Sequence, residues 1–69
     1  MPYRPKDVLR VLKRLGFVEA RQRGSHVFMK HPDGRATALP MHNKDMRKGL
    51  FHSILDDIRL TEAQFRKLV

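Results

Sequence analysis

The sequence predicts an α+β fold of order α-β-β-β-α-α, a three-stranded antiparallel sheet with its helices on one face. Three observations lead there. Apolar residues recur at helical spacing near the start and again after residue 46, and between 17 and 39 they alternate loosely instead. Tight-turn residues, Gly24-Ser25 and Pro32-Asp33-Gly34, cut the alternating stretch into three. With 69 residues and no repeat or linker, positions 1–69 read as a single small domain.

The first helix is expected over 5–15. Pro5 suits a first helical turn, Val8, Val11, Leu12 and Leu15 form one apolar stripe, and Gly16 stands where a left-handed terminator is wanted. Two strands follow, 17–23 and 26–30, joined by Gly24-Ser25 as a two-residue turn with a positive φ at the glycine. That turn sets Arg23 opposite His26, Arg21 opposite Phe28 and Glu19 opposite Lys30, the last an opposite-charge pair. One sheet face then carries Glu19, Arg21, Arg23, His26, Phe28 and Lys30. The other, with Val18, Ala20, Val27 and Met29, is the expected core face.

A third strand is expected over 35–39, closed by Pro40, and 41–47 reads as polar connection. Leu50, Phe51, Ile54, Leu55 and Ile58 then place a helix over about 46–57, with Asp45 as its N-cap. Thr61-Glu62-Ala63-Gln64 fits a capping box, with Leu60 and Phe65 as its staple, and starts a last helix over about 62–68. The helices need the apolar sheet face, so the opposite face is left open.

Charge narrows the function. Lys and Arg number 15 against 7 Asp and Glu, a formal net charge of +8. Such a field favours a polyanion over a small neutral substrate. A hydrophobic share of 41% is too high for a disordered basic tail. Having no cysteine, the chain has neither disulfides nor thiolate chemistry. No apolar run approaches the roughly 20 residues of a membrane span, and Met1 to Pro5 lacks the apolar core of a secretory signal. The expected location is the cytoplasm.

The open face gathers Arg21, Arg23 and Lys30 around His26 and Phe28. Cations hold phosphates and an aromatic ring stacks on an unpaired base. The plainer reading is a solvated cationic face, with Phe28 covering an edge or lying under a partner. The four histidines, at 26, 31, 42 and 52, lack metal-ligand spacing, and no cofactor or metal site is expected. His31 and His52 read as ordinary turn and helix residues. His26 differs in following a tight turn on a cationic face, where an imidazole can act as general acid or base. No phosphate loop, serine elbow or carboxylate pair suited to a metal is present, Asp56 and Asp57 pointing different ways on a helix, so catalysis would rest on one or two histidines. RNA suits that restriction because its 2′-OH is an internal nucleophile.

Gly24-Ser25-His26, Pro32-Asp33-Gly34-Arg35, Pro40-Met41-His42 and Lys48-Gly49 followed by Ile54-Leu55 together resemble the HicA (YcfA-like) toxins of bacterial toxin–antitoxin pairs. The resemblance spans about residues 5–65. It implies a double-stranded-RNA-binding-domain-like fold and a metal-independent ribonuclease, an mRNA interferase, neutralised by a HicB-like antitoxin. It implies His26 as the catalytic histidine, with His42 of the Pro-x-His motif as a secondary candidate. Arg21, Arg23, Ser25, Phe28, Lys30 and Lys48 are the expected RNA contacts, and Phe28 is read alternatively as an anchor for the antitoxin. Where the family commonly has Thr after Lys-Gly, this chain has Leu50, which removes a hydroxyl from that helix start. The expected partners are mRNA and an acidic antitoxin, with a monomer when free and an oligomer possible with the antitoxin. The alternatives are a non-catalytic RNA-binding module of the same fold and a protein-binding adaptor.

Overall fold

A computed structural model describes residues 3–42 and 44–69. Met1, Pro2 and Asn43, which belong to the readings of the Met1–Pro5 start and the 41–47 connection, lie outside the described residues. The elements are α1 (Pro5–Arg14), β1 (Val18–Arg23), β2 (His26–Lys30), β3 (Ala36–Pro40), α2 (Lys48–Ile58) and α3 (Glu62–Leu68). The strands form one antiparallel sheet in the order β1-β2-β3. The α+β arrangement is as expected.

The start of α1 is capped by Asp7, whose carboxylate accepts the Arg4 N–H at 2.9 Å. The helix buries Val8, Val11 and Leu12 completely and ends before Gly16, whose φ of 96° suits only glycine. Val27, Met29 and Leu39 supply the sheet's share of the core, and Phe51, Ile54, Leu55 and Ile58 of α2 and Phe65 of α3 close it. The Tyr3 ring meets Phe51 at a tilt and Phe65 edge-on, with ring centroids 5.2 and 4.9 Å away, tying this segment to both C-terminal helices. At α3 the capping box forms as expected: Thr61 Oγ1 accepts the Gln64 N–H, and Gln64 Oε1 accepts the Thr61 N–H.

Three expectations are corrected. A β-bulge lies between Glu19 and Arg21, so Glu19 pairs with Met29 and Val18 with Lys30, and the Glu19–Lys30 pair does not form. The extra residue, Ala20, shifts the strand's first part by one place. Val18 is therefore 60% exposed and Ala20 is exposed, while Phe17 enters the core in their place. Next, α2 starts at Lys48 with Arg47 as its N-cap, and Asp45 instead pairs with Arg4 at 3.5 Å. The cause is Met46. Its side chain is buried and its N–H donates to the Tyr3 carbonyl at 2.7 Å, which anchors the chain just ahead of an extended Arg47 and delays the helix. For the same reason the 41–47 connection is not wholly polar, since Met46 belongs to the core.

Candidate functional site

The Gly24-Ser25 turn positions the site. Gly24 takes a φ of 59°, which lets β1 fold directly back into β2 and leaves His26 as the first residue of β2. His26 sits between Arg23 on β1 and Pro40 on β3. The Met41 N–H donates to the Ser25 carbonyl at 2.6 Å. The Gly-Ser-His and Pro-Met-His stretches, 14 residues apart at their closest in sequence (26 to 40), thus meet at one end of the sheet.

On the face away from the helices, Phe28 lies between Arg21 and Ala38, and Lys30 lies between Val18 and Ala36. The Arg21 guanidinium covers the Phe28 ring at 4.8 Å from its centroid, so Phe28 is half-buried rather than fully exposed. The bulge pairs Glu19 with Met29, whose side chain points to the core, so the acidic group expected on the open face is shifted off it. Ala20, Arg21, Phe28 and Lys30 line a shallow hollow there. Ala36 and Ala38 keep the β3 side of this surface low. Sequence reading missed them, although Ala36-Thr37-Ala38-Leu39 alternates, with Thr37 and Leu39 turned inward.

The histidines separate by their ties. His31 Nε2–H donates to the Leu15 carbonyl at 2.9 Å, and its Nδ1 lies 3.1 Å from the Asp33 backbone N and 3.0 Å from the Asp33 carboxylate, which together hold the ring in place. Its ring also meets Phe17 edge-on at 5.0 Å. His52 lies 3.6 Å from the Glu62 carboxylate. His42 Nδ1 accepts the Lys44 N–H at 3.2 Å, and His42 lines a hollow with Arg4, Lys6 and Met41 at the start of α1. Among the described residues only the exposed His26 carries no such tie.

Arg35 has a structural task that sequence reading did not assign. Its Nε donates to Asp33 at 2.8 Å, its Nη1 donates to the Ile58 carbonyl at 2.6 Å, and its guanidinium lies 5.1 Å from the Phe17 ring centroid. It thereby closes the C-terminal end of α2, where a cation complements the helix dipole. The Arg35 N–H and guanidinium hold the Asp33 carboxyl below the usual carboxylate range. Thr37, buried, donates to Asp57 at 2.9 Å and ties β3 to α2.

The structure thus brings Arg21, Arg23, Ser25, His26, Phe28 and Lys30 together on the β1–β2 hairpin. His42 shares their end of the sheet, and Lys48 stands apart at the exposed start of α2. No group of three or more His, Asp or Glu side chains is gathered for a metal ion among the described residues. No described helix is long and apolar enough to cross a membrane. A comparison with curated proteins found no match. A family model described as "HicA toxin of bacterial toxin-antitoxin" matches residues 5–60, most of the chain.

Proposed function

The chain belongs to the HicA toxin family and is the toxin of a toxin–antitoxin system, and from that premise we propose that it is a metal-independent endoribonuclease acting through His26. The observation that carries the reading is the untied imidazole of His26, held beside Arg23 at a tight turn on an open cationic face.

In the proposed reaction His26 takes the proton of an RNA 2′-OH. The freed oxygen attacks the adjacent phosphorus, the bond from phosphorus to the 5′ oxygen breaks, and that oxygen takes up a proton. The products are a 2′,3′-cyclic phosphate and a 5′-hydroxyl. Arg23 stabilises the added negative charge on the phosphorane. Arg21 and Lys30 hold neighbouring phosphates, and Ser25 presents its hydroxyl at the turn. Phe28, already covered on one side by Arg21, offers its remaining surface to a base. His42 is the candidate for the second proton transfer, and Lys48 supplies a further phosphate contact from α2. The proposed antitoxin is an acidic, HicB-like protein that covers His26 and Phe28 together.

Induced expression in a bacterial host tests this reading. Wild type should arrest growth and His26→Ala should not, at equal soluble protein levels. Equal arrest by both would favour a binding module that does not cut.

A further inference from the structure

Beyond the open face, the helix layer carries a second set of cations that the proposed cleavage does not use. Lys6, Arg10 and Lys13 follow one another at i, i+4 and i+7 along the outer side of α1, and Arg14 flanks them. They line one hollow with Leu9, whose side chain packs partly against the core and floors it. Over the eight helical steps from Lys6 to Arg14 the row runs about 12 Å. Its one nearby carboxylate, Asp7, is already engaged by Arg10 at 3.0 Å and by the Arg4 N–H. Lys6 and Lys13 are exposed.

The row does not end at Lys6. The same lysine also lines the hollow with Arg4, Met41 and His42. Met41 in turn is hydrogen-bonded to Ser25, next to His26. A chain of polar and basic positions therefore leads from His26, around the end of the sheet through His42 and Arg4, the latter shared with Asp45 at 3.5 Å, to Lys6 and along α1.

Resting on the ribonuclease reading, we propose that this track binds the phosphodiester backbone of the single-stranded RNA that is being cut, on the stretch flanking the scissile bond. Charge complementarity together with continuity to the cleavage face favours this occupant. The row is regular, almost uniformly positive and continuous with the cleavage face, whereas an apolar partner would find only Leu9. The consequence is a length rule: a short RNA fills the open face alone, and a longer one gains the α1 contacts.

The test uses 2′-O-methyl oligonucleotides, which lack the 2′-OH nucleophile, so that binding is read without cleavage. Lengths of about 5 and about 20 nucleotides lie near the lower limit and beyond the upper limit of the usual span of such sites. Lys6→Gln/Lys13→Gln is compared with Arg66→Gln/Lys67→Gln, which removes two charges from α3. For the long probe, the α1 variant should flatten the log–log salt dependence by about 0.7 × 2, or roughly 1.4, and weaken binding about tenfold at low salt. The short probe should bind it as it binds wild type, and the α3 variant should bind both probes as wild type does. Equal losses in the two variants, equal losses on the two probes, or no loss in either would overturn the track. Cleavage of ordinary RNA by wild type, read separately, judges the ribonuclease reading. Its failure with a persistent length effect would leave the track standing without the chemistry.

Discussion

At the residue scale, the sequence motifs divide into parts that hold the fold and parts that are free to act. His31, Asp33 and Arg35 are bound into the β2–β3 loop and the end of α2. Arg35→Ala should cost about 1.5–3 kcal/mol, the range for hydrogen bonds from a charged group, because it releases the Ile58 carbonyl and the Asp33 carboxylate. Chemical denaturation of the purified variant would check this, and a loss below 0.5 kcal/mol would remove Arg35 from the framework. Asp33 adds a pH dependence whose sign follows from its lowered pKa. Its stabilisation is present above the unfolded-state value of about 3.9 and fades as pH falls through the lower folded value. Thermal melts from pH 6 downward should show wild type converging on Asp33→Asn only in the acid range. A constant gap between them would contradict the assignment. His26 and Phe28 are the free part. Phe28→Ala should weaken single-stranded RNA binding by about 1–3 kcal/mol, measured by fluorescence titration. Unchanged affinity would mean that the ring serves only its contact with Arg21.

At the element scale, local signals were legible and long-range ones were not. The Gly24-Ser25 turn and the Thr61 capping box were readable because each is decided by two to four adjacent residues. The bulge in β1 was not. Val18 and Ala20 look like inward positions in an alternating strand, and only the competition from Phe17 for the core shows why the strand slips by one. Likewise Asp45 has the chemistry of an N-cap, but the hydrogen bond from Met46 to Tyr3, 43 residues away in sequence (46 − 3), postpones the helix. The candidate site followed the same division: His26 was visible from its turn, whereas the low Ala36 and Ala38 surface depended on strand pairing. Two substitutions probe the elements themselves. Thr61→Ala should destabilise by about 1 kcal/mol through loss of the cap, with no effect on RNA affinity. Gly16→Ala should cost more than the usual gain from removing a glycine, since its φ is 96° and a Cβ would come within 3.2 Å of the His31 ring. A neutral melting temperature for Gly16→Ala would show that the α1–β1 junction has slack.

At the scale of the whole molecule, a net charge of +8 places cations both on the open sheet face and along the outer side of α1. Short RNA bound through Arg21, Arg23 and Lys30 should show a log–log salt slope of about −0.7 × 3, or roughly −2, and binding indifferent to salt would remove the electrostatic reading. The same charge should make capture by an acidic antitoxin fast and salt-sensitive. The central claim concerns His26, and single-turnover cleavage of a defined RNA by purified wild type and His26→Ala tests it most directly. The account predicts a rate lower by about 10²–10⁴ in the variant. Its melting point should be unchanged, since an exposed residue beside a turn leaves no cavity when truncated. A folded His26→Ala protein that cleaves at the wild-type rate would contradict it and pass the chemistry to another group.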